Sequence, residues 1–182
     1  MGQNHSVVLV GPMAAGKSAV GRTLAQRIGA RFIDTDRVIV ERHGSISGIF
    51  AEQGEDGFRS IEADVVRESL AAVAVVSLGG GAVLHPGTRE LLADTAVVFL
   101  DTDLATVLPR ITGAADRPLL TGRPAERWQE LYDERRPVYA ALASVVVDTR
   151  DLTVRQVTDA VLRALPTDPA LPVTASRDDR PT

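Results

Sequence analysis

The chain has 182 residues and a mass of 19.4 kDa, with 45% hydrophobic and 24% charged residues, enough apolar material for one fully cored domain. Its net charge of −4, from 20 Lys and Arg against 24 Asp and Glu, gives no global pull toward nucleic acid or an anionic membrane, so any anionic ligand must be held by local groups. With no cysteine there is no disulfide framework or thiol chemistry, and the three histidines (His5, His43, His85) are too scattered for a zinc site.

No apolar run approaches membrane-spanning length, and there is no signal-peptide pattern. Met1-Gly2-Gln3-Asn4-His5-Ser6 fits a short acylation pattern, but without a basic patch or second lipid site it is read as a polar leader. The expectation is a cytoplasmic protein that binds neither membrane nor nucleic acid and acts as a monomer.

Short β-branched runs alternate with helical stretches. Strands are predicted at Val7–Val10, 32–34, 75–78, 97–100 and Val145–Asp148, mostly as continuous apolar runs suited to a parallel sheet covered on both faces. Helices are predicted over Lys17–Ile28, 37–43, 61–72, 87–92, 104–112, 125–142 and 153–165, with Pro109 expected to kink or shorten the fifth. This alternation predicts a doubly wound five-stranded parallel α/β sheet, whose ligands bind beyond the carboxyl ends of the strands. Residues 112–124, with two glycines, two prolines and two arginines, read as a loop suited to a mobile cover over a site. The proline-rich 166–182 stretch reads as a disordered tail beyond the 1–165 domain.

The most specific motif is Gly11-Pro12-Met13-Ala14-Ala15-Gly16-Lys17-Ser18, a full G-x-x-x-x-G-K-S between a predicted strand and helix. Backbone N–H groups of Ala14, Ala15, Gly16, Lys17, Ser18 and Ala19 then surround a phosphate at the positive end of the helix dipole. Lys17 reaches the β- and γ-phosphates, and the Ser18 hydroxyl ligates Mg²⁺. Asp34-Thr35-Asp36 ends the second strand, where carboxylates face the ligand crevice. Asp34 suits a water on Mg²⁺, a role moved there because no aspartate follows the third strand. Asp36 suits a hydrogen bond from an attacking hydroxyl, or equally an N-cap for the helix starting at Arg37.

Arg59 reads as a solvated charge or a partner for Glu55 or Glu62. Gly79-Gly80-Gly81 follows the third strand and reads as a flexible turn or as bare N–H groups for a small polar ligand. Arg117, in the cover loop, could spread charge on a transferring phosphoryl group or simply pair with Asp116. Arg135-Arg136-Pro137-Val138-Tyr139 lies in a helical stretch, where at most one of two adjacent arginines faces a site and Pro137 would kink the helix.

In this order and spacing, from about Val7 to Leu165, the set resembles shikimate kinase. The resemblance implies a fold like that of the P-loop nucleoside monophosphate kinases and ATP-dependent phosphorylation of the 3-hydroxyl of shikimate in the chorismate pathway, with ATP and Mg²⁺ required. It implies that Asp36 binds the hydroxyls and serves as base, that Arg59 and Arg135 grip the carboxylate, that Gly80 offers its N–H, and that Arg117 contacts the phosphates. Arg135 rather than Arg136 is chosen because the family's arginine lies two before the proline. Arg110 matches a position that stacks on adenine, and Arg150 is carried as a second base contact, although the loop 149–152 lacks the proline often found there. The phosphate loop departs from the family's common Gly-Ser pair with Ala14-Ala15.

Two rivals remain at this level. Gluconate kinase, or another small-metabolite kinase of the fold, shares the phosphate loop, and two arginines suit gluconate equally well; the triple glycine and the Arg-x-Pro-x-Tyr run favour shikimate. A nucleotide-binding regulator without phosphoryl transfer would lack Lys17, Asp36 or Arg117, and all three are present.

Overall fold

In a computed structural model, which describes residues 6–112, 118–120 and 122–165, five strands form one parallel sheet. The elements are β1 (Val7–Val10), α1 (Lys17–Ile28), β2 (Arg31–Asp34), α2 (Thr35–His43), α3 (Ile46–Leu70), β3 (Ala74–Ser77), α4 (Pro86–Leu92), β4 (Ala96–Asp101), α5 (Leu104–Ile111), α6 (Pro124–Leu142), β5 (Val145–Asp148) and α7 (Val154–Ala164). Single 3₁₀ turns at Ala82–Leu84 and Pro118–Leu120 complete them. The strand order is β2-β3-β1-β4-β5, so the chain crosses over between β1 and β2 and again between β3 and β4. The crevice opened by that reversal lies at the carboxyl ends of β1 and β3.

The continuous apolar strands are explained by two cores. Val7 and Leu9 of β1 pack with Leu24 of α1 and Val157 and Val161 of α7 on one face. Val8 and Val10 point the other way and pack with Val66 of α3, Phe99 of β4 and Tyr139 of α6. Each such fully buried Val or Leu contributes about 1.5–3 kcal/mol, which is why the central strands tolerate no polar alternation.

Two expectations need correction. α3 begins at Ile46, not near residue 61, and bends at Gly54, whose φ of 71° and ψ of −175° are not helical. Gly48, Gly54 and Gly57 hide the helical period; what holds this segment is a separate cluster of Ile49, Phe58 and Val65 against Ile39 of α2. Ser45 caps it by accepting the Gly48 N–H at 3.1 Å. Pro137 lies inside α6 without dividing it, and α5 carries Pro109 and ends two residues later at Ile111. The expected cover segment is represented only by its flanks and the 118–120 turn; Arg117 and the 166–182 tail lie outside the described residues. Among the described residues no helix is long and apolar enough to cross a membrane.

Candidate active site

Two clefts meet at the carboxyl end of the sheet. The larger, about 610 Å³, runs along the phosphate loop and is lined by Ala14, Gly16, Lys17, Ser18 and Ala19, with Arg110 and Val154 at its rim. The smaller, about 90 Å³, is walled by Arg59, Glu62, Gly79–Gly81 and Arg135, with Phe50, Phe58 and Leu119 as its apolar side. Met13, Asp36 and Gly80 line both.

The phosphate loop leaves β1 through Gly11, where a Cβ would fall 2.6 Å from the Leu100 carbonyl oxygen, so only glycine passes β4. Gly16 caps α1 with φ of 92°. The loop carbonyls are tied down from outside. Lys17 Nζ donates to Gly11 O at 2.9 Å and Pro12 O at 2.8 Å, Trp128 Nε1 to Met13 O at 3.0 Å, and Arg110 Nη1 to Ala14 O at 2.9 Å. Ala14 adopts a left-handed φ of 65°, a conformation that costs a side-chain-bearing residue about 1–2 kcal/mol. The alanine in place of the family's usual small pair is therefore seated at a position glycine would occupy without strain.

Asp34, not Asp36, caps α2, accepting the Arg37 N–H at 3.3 Å. Asp36 is the second residue of α2, in the first turn at the dipole's positive end, with its carboxylate against Gly79. Thr35, fully buried, fixes this junction: its hydroxyl donates to Ser77 O and accepts the Gly79 N–H, each at 3.2 Å. Burial pushes the Asp36 carboxyl up, Lys17 pulls it back, and Asp34 adds to the rise.

Arg59 is the ion-pair partner of both glutamates rather than a solvated charge. It pairs with Glu62 at 2.6 Å and with Glu55 at 3.0 Å, and it also lines the smaller cleft. Burial opposes its charge, but the two glutamates more than restore it. Glu62 is 2% exposed, and burial lifts its carboxyl from 4.5 to about 7 despite Arg59. The glycine triplet supplies more than bare N–H groups. A Cβ on Gly79 would lie 2.5 Å from Glu62 Oε1 and 2.6 Å from Asp36 Oδ1, and one on Gly81 would collide with the Arg59 guanidinium. The glycines are thus the space into which three charged groups pack.

Arg135 is buried and opens onto the smaller cleft, and its Nε has no hydrogen-bond partner among the described residues. Arg136 turns the other way and pairs with Asp101. Tyr139, one turn beyond Arg135, donates its hydroxyl to Gly80 O, a contact that ties α6 to the triplet. Arg110 reaches the larger cleft, whereas Arg150 does not line it: the Arg150 guanidinium is exposed and paired with Asp148. Val154, at the start of α7, is the residue of that region on the cleft rim. Sequence reasoning overlooked Val154, named Thr35 and Tyr139 only as members of their motifs, and gave Glu62 only the part of a partner for Arg59. Trp128 is buried under the phosphate loop and stacks on Tyr132 with ring centroids 5.0 Å apart.

Comparison with known proteins agrees with this geometry. A profile of the family described as shikimate kinase matches residues 13–166. The shikimate kinase of Streptomyces coelicolor is 45% identical over 161 residues, covering 87% of this chain and 94% of that protein. The shikimate kinase of Mycobacterium tuberculosis is 48% identical over 145 residues, covering 78% and 82%. The solved structure of shikimate kinase from Acinetobacter baumannii in complex with shikimate superposes with a TM-score of 0.85 at 36% identity, over 87% of this chain and 91% of that one. A gluconokinase from Sinorhizobium meliloti, at 21% identity and a TM-score of 0.61 over 88% and 91%, shares the fold alone. The chain belongs to the shikimate kinase family.

Proposed function

We infer that the chain transfers the γ-phosphoryl group of ATP to the 3-hydroxyl of shikimate, giving shikimate 3-phosphate and ADP. The observation that carries this reading is that the phosphate-loop cleft and the arginine-walled cleft share Asp36 and Gly80. A carboxylate acid seated on Arg59 and Arg135 presents its ring hydroxyls toward Asp36, on the wall that adjoins the phosphates.

The roles follow from chemistry at each position. Planar guanidinium forks match a carboxylate in two parallel hydrogen bonds, so Arg59 and the buried Arg135 hold the acid and set its orientation. The Gly80 N–H adds a third polar contact. Asp36 accepts the proton of the attacking hydroxyl, and its raised pKa makes it a better base than a solvated aspartate. Loop N–H groups from Ala14 to Ala19 cradle the phosphates, and Lys17, drawn off the Gly11 and Pro12 carbonyls, moves onto the β- and γ-phosphates. Arg117 meets the transferring group from the cover segment. Arg110 and Val154 flank the adenine, with Arg150 left to its pair with Asp148.

The residues present fit Mg²⁺. Ser18 lines the larger cleft, where its hydroxyl would meet a cation held mainly by phosphates and water. Asp34 spends one oxygen on the Arg37 N–H, and its other oxygen would hold a water of that cation. When bound, Mg²⁺ would neutralise charge developing on the phosphate oxygens.

Release of ADP from Mg-ATP with shikimate, quinate, gluconate or no acceptor tests the reading. Formation that depends on shikimate supports it. Activity with gluconate alone overturns the roles given to Arg59, Gly80 and Arg135, and no transfer to any acceptor while ATP still binds revives the regulator.

A further inference from the structure

We propose that Asp101, Tyr132 and Arg136 form a lock that sets the rotation of α6 about its own axis and so aims Arg135 into the acid cleft. The proposal rests on Arg135 being a carboxylate ligand, as read above. Arg136 lines neither cleft. Its Nε donates to the Tyr132 hydroxyl at 3.0 Å and its Nη2 pairs with Asp101 Oδ2 at 3.0 Å. The Tyr132 hydroxyl donates to Asp101 Oδ1 at 2.6 Å, closing a triangle in which each group bonds the other two. Asp101 is itself fixed, since Oδ1 also accepts the Thr102 N–H at 3.0 Å and the Asp101 carbonyl accepts both the N–H and the hydroxyl of Thr149 at 2.9 Å. The triangle is thus anchored to the carboxyl end of β4 and to the chain leaving β5.

Helical geometry converts this anchor into aim. Residues four apart share a helix face, whereas adjacent residues point about 100° apart. Tyr132 and Arg136 hold one face of α6 to β4; Arg135 then turns inward with Trp128, Leu131 and Tyr139, the other buried members of its stripe. Two other ties hold the helix away from this level. Trp128 bonds Met13 O two turns earlier, and Tyr139 bonds Gly80 O one turn later. Among the described residues Arg135 hydrogen-bonds only its own helix neighbour, the Tyr139 hydroxyl, and it lines both the acid cleft and a gap of about 10 Å³ beside Pro12, Met13 and Tyr132, so its aim follows the rotation of α6. Burial and the bond to Asp101 push the Tyr132 hydroxyl up to about 12, so it remains an O–H donor throughout the working pH range.

The test is a double-mutant cycle between Arg135 and Arg136, read by steady-state kinetics and by calorimetric shikimate binding. Arg136→Ala is expected to raise the shikimate KM and Kd about five- to tenfold, with the ATP KM within about twofold of wild type. Arg136→Lys should recover part of that loss, and Asp101→Asn should reproduce it. Arg135→Ala is expected to raise the shikimate KM about 100-fold, and adding Arg136→Ala to it should cost nothing more. Full multiplication of the two effects would mean that Arg136 acts independently of Arg135 and would overturn the lock. So would an Arg136→Ala enzyme with unchanged shikimate binding, whatever its Tm. An Arg135→Ala enzyme with unchanged shikimate binding would instead remove Arg135 as a ligand, and the lock with it; that result is distinct because it appears in the single variant.

Discussion

The larger cleft is lined mostly by one stretch of chain, Met13, Ala14 and Gly16 to Ala19, and Arg110 and Trp128 tie the carbonyls of Ala14 and Met13. The smaller cleft is walled by side chains from α2, α3 and α6 and by the loop after β3, with charges packed into the space left by glycines. A backbone cradle accepts any nucleoside triphosphate phosphate and tolerates side-chain change. A cleft of converging charges, if it seats the acid as proposed, would depend on every partner. Generic binding is thus contiguous in sequence, and specificity is dispersed.

The difference can be broken at one point on each side. Lys17→Ala removes the cation facing the phosphates and both ties to Gly11 O and Pro12 O. Turnover is expected to fall by about 10²–10³-fold, with shikimate Kd within a few-fold of wild type, checked by ADP release and calorimetry. A matching loss of shikimate binding would mean that the two clefts are not separable.

Glu62→Gln probes the acid side through pH. Glu62 titrates at about 7 in the folded protein against 4.5 ordinarily, so between these values the folded state binds the extra proton and the unfolded state does not. Its contribution is full below about pH 4.5 and is lost as pH rises through about 7. Asp36, also raised, acts in the same direction. Thermal unfolding between pH 5 and 8 should therefore show a fall in Tm that Glu62→Gln flattens, and an unchanged slope would remove Glu62 as its source.

The smallest effect belongs to the cradle. Ala14→Gly relieves a left-handed alanine at about 1–2 kcal/mol but adds about 0.5–1 kcal/mol of unfolded-chain freedom. A net gain of about 0.5 kcal/mol, or about 1–2 °C in Tm, is expected, together with an ATP KM within twofold of wild type.

This contrast also explains what could be read in advance. The parallel sheet announced itself because strands buried on both faces are continuous apolar runs, and the phosphate loop because its spacing is local. Asp36 and Gly80 were suggested by their strand-end positions, whereas Arg59 and the choice of Arg135 rested on a resemblance spanning most of the chain, since convergence is set by strand order and by bonds such as Thr35 to Ser77 that no local pattern encodes. The first half of α3 was missed because its helix rests on packing against α2 rather than on a sequence period. Asp34 and Asp36 could not be told apart as cap and cleft residue, because either lies within one residue of the helix start. Val154, on the rim and close to Arg150 in sequence, carries no chemical signature by which the sequence could have pointed to it, and the Arg150 side chain itself pairs with Asp148.

The central claim is that the acid cleft and the phosphate cleft meet at Asp36, which acts on the transferred proton as well as on binding. Single-turnover transfer by Asp36→Asn, with shikimate Kd measured in parallel, tests it most directly. A loss of transfer of about 10²–10⁴-fold, exceeding a change in Kd of about tenfold or less, is the expected result. Transfer close to wild type once shikimate is saturating would contradict it.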